Sequence, residues 1–481
     1  MSATARRLVR APAGRELLLA VVFALATVLI AFAGARKLGT LGLLAPLALV
    51  LVVALMRKPV AMVAITVGIV ILCEGPSFGL LNFTSDIYSD VYRKLTPIDF
   101  LVALTVVSVG FDLMLHRRSL RFPRSLTFAL MMLVLAMIGG AAVGRSTGLG
   151  IRSLLLGENV LAYLLVLPVA VANLDISRDQ VKTLLGGALV LAIVKAVLGL
   201  IEVVGHLGTP IEGSATLTYY EPTANWLVLM AILVILAAVM AKKVRPPVWA
   251  LLSMPLLIAC LLLSYRRSFW VAAVLGLGLV LLLGVSSIGR RVLVPAGLLV
   301  VVAVMVLGSI NLQGSQSPIV RRVASLSPSK LETNLEDRYR LDERTNVIDT
   351  IREHPVTGIG MLVPWSPRFT PLSVEHPEAR LYVHFAALWY WLKLGILGLV
   401  AYASLLIASA FTAWRVWRRS PEPLLRAFGL GSLCAFAGLV AIETTATFTG
   451  VEPRFTVLLG VQIGLLALLA RTTKGPITHS G

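Results

Sequence analysis

Runs of about 20 apolar residues, each long enough to cross the hydrocarbon core of a bilayer as a helix, recur along this chain. "ELLLAVVFALATVLIAFAGA" at 16–35 is one, and "VAAVLGLGLVLLL" at 271–283 is the middle of another. Further spans fall near 41–56, 59–77, 98–115, 127–143, 157–173, 183–205, 225–241, 247–264, 268–285, 292–310, 383–411, 427–445 and 455–470. The expected fold is therefore all-α: a polytopic membrane bundle of about fourteen transmembrane helices, or about twelve to fourteen allowing for three short candidates. The basic lead and apolar run at the start would suit a signal peptide, but the run is of spanning length and more spans follow, so it is read as an uncleaved first helix.

Composition agrees. The chain is 58% hydrophobic and 14% charged, where soluble domains average about 45–50% and 25%. Its net charge of +19 is what basic loops beside anionic lipid produce, so membrane lipids are expected partners and nucleic acid is not. Cys73, Cys260 and Cys434 all lie in apolar runs without a CxxC partner, which argues against a disulfide framework or a zinc site.

Charge bias orients the chain. With a cytoplasmic N-terminus, the inner segments carry 23 lysines and arginines and the short outer loops carry 9, in accord with the positive-inside rule. This divides the chain into helices 1–11 over residues 1–310, a large extracytoplasmic loop over 311–382, and helices 12–14 with a cytoplasmic C-terminus over 383–481. The junction "SYRRSFW" (264–270) and the long loop then share the outer face. That loop is rich in arginine, against the usual bias, and ends next to His384.

Within the loop, "ERTNVIDTIREH" places Val347, Ile348 and Ile351 at helical spacing, predicting a short surface helix that "HPVTGIG" stops at Pro355. The outer face thus gathers Arg266, Arg267, Arg344 and His384, with Arg340 one turn before Arg344 in reserve. Guanidinium forks match phosphate oxygens in pairs, and an imidazole accepts a proton from a hydroxyl near neutral pH. The set suits transfer of a sugar from a diphosphate to an alcohol, with no metal needed where guanidinium groups balance the charge. Glu221 and Tyr220, in another outer loop, are candidate substrate contacts. Each of these residues also has a plainer reading as an interfacial cation, helix cap or loop side chain. A metal site from Glu375, His376, Glu378 and His384 fits no standard ligand spacing. Lys195 and Lys393 lie inside apolar runs, where a charge is costly, and neither receives a role.

"SYRRSFWVAAVLGLGLVLLL", "ERTNVIDTIREHPVTGIGML" and "VHFAALWYWLKLGILGLVAY" resemble, in that order, hallmarks of the O-antigen ligase and O-antigen polymerase superfamily. These are a Ser-Arg pair opening a span, an Arg before P-x-x-G-x-G, and a His opening a span with G-x-x-G. Arg267, Arg344 and His384 fall on those positions. Upstream, "YYEPTANWLVLM" is weakly similar to the family's Pro-Asn segment. Arg266, Phe385, Ile348 and Lys393 depart from the usual small residue, Asn, Trp and Glu.

The resemblance implies a cofactor-free, metal-independent, inverting glycosyltransferase of the cytoplasmic membrane. It would move a glycan from a polyprenyl-diphosphate carrier to a lipid, protein or glycan hydroxyl on the outer face. Ligase and polymerase stay open alternatives. A transporter or flippase is the competing class, but it would place charge at mid-membrane and show paired halves. A polyprenyl-phosphate-sugar glycosyltransferase would carry acidic residues in the first outer loop, and "RKLGT" has none.

Overall fold

Proline and a polar cap set where several of the apolar runs become helices. A computed structural model describes residues 54–73, 87–89, 95–151, 153–154, 159–205, 209–210, 217–218, 222–240, 246–284, 335–372 and 380–472. The helices are α1 (Pro59–Leu72), α2 (Pro97–Leu115), α3 (Arg124–Ser146), α4 (Asn159–Ala172), α5 (Arg178–Val204), α6 (Pro222–Met240), α7 (Val248–Leu252), α8 (Met254–Leu263), α9 (Arg267–Gly284), α10 (Leu335–Glu353), α11 (Ala386–Arg419), α12 (Pro423–Ile442) and α13 (Pro453–Thr472). Among the described residues, a two-residue antiparallel pair, β1 (Thr209–Pro210) with β2 (Leu217–Thr218), accompanies them. In α1, α2 and α12 a proline occupies the first turn, where its missing N–H costs nothing. Thr96 with Asp99 and Ser177 with Gln180 form capping boxes that start α2 and α5.

Eight of these helices, α2, α3, α5, α6, α9, α11, α12 and α13, are long and apolar enough to cross a membrane; α1, α4 and the α7–α8 pair are shorter apolar pieces. Among the described residues the secondary structure is thus helical apart from the β1–β2 pair, with several spans apolar enough to cross a membrane. The expected spans at 16–35 and 292–310, and nearly all of 41–56, lie outside the described residues. The span expected over 247–264 is interrupted: Ser253 ends α7 and Pro255 lies in the first turn of α8, because proline supplies no N–H to the preceding turn.

Small residues let the helices approach closely, as lipid-embedded interfaces require. A Cβ added to Gly431 of α12 would lie 2.7 Å from Val234 Cγ2 of α6, and one on Gly464 of α13 would lie 2.6 Å from Val171 Cβ of α4. Around this interior, α11 packs on α3 and α12, α13 on α4, and α9 on α12.

α11 is broken at Gly395, whose φ of 70° and ψ of −167° no side-chain-bearing residue adopts readily. The segment following α10 fills the break. Leu392 O, which an unbroken helix would offer to Ile396, accepts instead from Ile359 N at 2.8 Å. Ile396 N donates to Val356 O at 3.1 Å. Met361 N donates to Gly140 O of α3 at 2.9 Å, and Lys393 Nζ donates to Val363 O. Non-helical backbone inside a membrane protein is stable only where the protein satisfies its polar groups, and the chain does so here with the turn-rich loop after α10. A Cβ at Gly395 would sit 2.1 Å from Val356 O.

Candidate functional site

The turn between α8 and α9 carries "SYRRS". Tyr265 adopts a φ of 49°, rare for a bulky residue, and closes the turn through its N–H to Leu262 O at 3.1 Å. Arg266 N donates to Ser264 Oγ at 3.3 Å, and Trp270 Nε1 to Leu261 O at 3.0 Å. This turn sends the paired arginines to different neighbours. The Arg266 guanidinium lies 5.7 Å from the Phe448 ring, in the connection between α12 and α13. Arg267 Nη2 contacts both oxygens of Asp337 on α10, at 2.6 and 2.8 Å.

α10 is longer than the expected surface helix, and it is packed against protein. Val347 and Ile351 are buried, as expected of its apolar stripe, while Ile348 is half-buried. Its buried face also carries polar groups: Asp337, Tyr339, Glu343, Asn346 and Thr350. Asn346 fastens the loop that follows, accepting from Phe369 N at 2.9 Å and Thr370 N at 3.1 Å and donating to Thr370 O at 2.8 Å.

α10 joins the candidate residues. Asp337 holds Arg267 and lies 3.7 Å from Arg340 Nη1. Six residues on, about 9 Å along the axis, Glu343 Oε2 accepts from His384 N at 2.8 Å and contacts His384 Nδ1 at 2.9 Å. Arg344 is exposed on α10, with its guanidinium 5.2 Å from the Phe385 ring. The His384 ring meets the edges of Tyr339 and Tyr382 at centroid distances of 5.9 and 4.9 Å. Burial, with Glu343 adding, pushes the Tyr339 phenol up to about 12, while Arg380 opposes the shift; the ring stays neutral.

Arg267, Arg340, Arg344 and His384 are thus brought to one helix, while Arg266, in the turn before α9, sends its guanidinium to Phe448 instead. Tyr220 and Glu221 lie outside the described residues. Reading the sequence missed Asp337, Glu343, Tyr339 and Tyr382. The available signal was the acidic–basic alternation of "EDRYRLDER", which looked like a solvated face. A second polar cluster sits nearby: Thr223 Oγ1 donates to Glu452 Oε2 at 3.1 Å, and buried Arg454 donates from Nε to Glu452 Oε1 at 3.1 Å.

The helices define a multi-pass membrane protein, and the cluster on α10 defines a cationic site with one imidazole at its edge. Residues 252–403 match the family model described as O-Antigen ligase. That stretch takes in α8, α9, α10 and the broken part of α11, with every arginine and the histidine of the cluster, and over it the chain is similar to the O-antigen ligase family. No curated protein matches the sequence.

Proposed function

We propose that the chain is an O-antigen ligase-like glycosyltransferase, working on the extracytoplasmic side of the cytoplasmic membrane. It transfers a glycan from a polyprenyl-diphosphate carrier to a hydroxyl acceptor. The observation that carries this reading is the convergence of Arg267, Arg340, Arg344 and His384 on α10. Around this helix Arg267, Arg340, Arg344 and Arg380 outnumber the carboxylates that contact them or His384, Asp337 and Glu343, so a diphosphate entering the cluster gains net attraction. His384 takes the proton of the acceptor hydroxyl while its oxygen forms a bond to the anomeric carbon. The bond from that carbon to the phosphate oxygen breaks, and its electron pair leaves with the lipid diphosphate. Attack opposite the leaving group inverts the anomeric centre. Guanidinium groups carry the developing charge, so the step requires no metal. Tyr220 and Glu221 remain proposed sugar contacts, and the three-part division at residues 310 and 382 remains a proposal.

The test is glycan transfer in sealed vesicles from cells lacking the native copy. His384→Ala is expected to abolish transfer while the protein still inserts and accumulates; full activity would overturn the base assignment. Mass spectrometry of surface glycans from the deletion strain separates a ligase, where attachment is lost, from a polymerase, where single repeat units build up. The broken α11 is the feature a transporter reading would use, and substrate uptake by the pure protein in liposomes would favour that reading.

A further inference from the structure

We propose that Glu343 is a positioning residue for His384: it holds the imidazole with its proton on Nδ1 and its lone pair on Nε2. This rests on the glycosyltransferase reading above.

Glu343 is 1% exposed, against 22% for His384. Its Oε2 receives two contacts from the same residue, the backbone N–H at 2.8 Å and Nδ1 at 2.9 Å. An ionised carboxylate only accepts hydrogen bonds, so Nδ1 is the donor and the neutral ring carries its lone pair on Nε2. The backbone bond places Oε2 independently of the ring, and the Tyr339 and Tyr382 edges limit the ring's rotation. Glu343 Oε1 is buried and has no hydrogen-bond partner among the described residues. A buried carboxylate so poorly satisfied is costly, and the cost is offset when a positive charge forms beside it. That happens in the transfer step: the acceptor O–H proton moves to Nε2, and the resulting imidazolium faces the Glu343 carboxylate. Other charged or titratable groups around the ring are Tyr339 and Arg344 on α10, Tyr382, and Arg380 beside Tyr339. Glu343 is the carboxylate seen in contact with the ring.

The test uses the full chain in lipid nanodiscs with ¹⁵N-labelled histidine, the His384 signal being assigned by its loss in His384→Gln. Above its titration midpoint, wild-type His384 is expected to show a protonated Nδ1 and a bare Nε2. Glu343→Gln keeps an acceptor but removes the charge, and the proton affinity of the His384 ring is expected to fall about tenfold or more, seen as a lower pH midpoint. Transfer in native vesicles is expected to drop by about 10- to 100-fold in kcat, with KM little changed. Glu343→Asp keeps the charge and should restore the midpoint with part of the rate; it serves as the probe if the Gln variant does not accumulate. A wild-type ring protonated on Nε2, or a midpoint and rate unmoved in Glu343→Gln, overturns the proposal. If His384→Ala abolishes transfer while Glu343→Gln does not lower it, this inference alone fails. If His384→Ala retains transfer, the underlying reading fails as well.

Discussion

Basic side chains gather at both ends of the helical bundle, and their partners differ. At the end that charge bias assigns to the cytoplasm, Arg471 Nη1 donates to the backbone carbonyls of Ala172 at 2.6 Å and Arg121 at 2.8 Å. Arg118 pairs with Asp112, and Lys182 bridges Asp179 and Glu422, each at 3.2 Å. These cations tie helix ends together. At the opposite end, Arg267 and His384 are held by buried carboxylates, Asp337 and Glu343, both on α10, a helix outside the spans. Cations spread over carbonyls and carboxylates of several elements brace a scaffold, whereas a cation and an imidazole held by buried carboxylates of one helix are gathered on a common element.

The sharpest way to break this comparison is His384→Ala, expected to reduce transfer by about 10²-fold or more without reducing the amount of inserted protein; quantitative transfer assays on matched membranes decide it. Arg267→Ala is expected to cost about 10²-fold in the same assay by removing charge stabilisation at the diphosphate. Gly395→Ala probes the footing both share: its Cβ would meet Val356 O, and the left-handed backbone adds about 1–3 kcal/mol of strain, so a lower thermal midpoint in detergent and poor accumulation are expected. Arg471→Ala should lose about 1.5–3 kcal/mol of hydrogen bonding from a charged donor, read as a lower thermal midpoint, with transfer per folded molecule unchanged. Lys182→Ala should be the mildest, at most about 1 kcal/mol, and its effect should shrink as salt rises.

Much of the scaffold was legible because lipid imposes a one-dimensional rule: an apolar run of sufficient length is a helix. The expected spans at 98–115, 225–241 and 268–285 come within three residues of α2, α6 and α9 at each end. Proline at a helix start is equally local, though the α7–α8 interruption at Ser253 was hidden inside an unbroken apolar run. The break in α11 was not legible. Its meaning lies in a pairing between Val356 and Ile396, and nothing in "LKLGILG" names the distant segment that completes it. In the candidate site, Arg267, Arg344 and His384 stood out as cations beside apolar runs. Asp337 and Glu343 did not, because an acid amid arginines on a polar helix looks the same whether it faces water or an imidazole.

The backbone stitches between 356–361 and both α3 and α11 leave α10 anchored firmly at its C-terminal end, whereas its N-terminal end meets α9 through the Arg267–Asp337 side-chain pair. Such an element is a bracket, fixed by backbone bonds at one end and by a side-chain ion pair at the other. Loss of the Arg267–Asp337 pair would therefore loosen α10 at Asp337 more than at Glu343, which keeps its own contacts to His384.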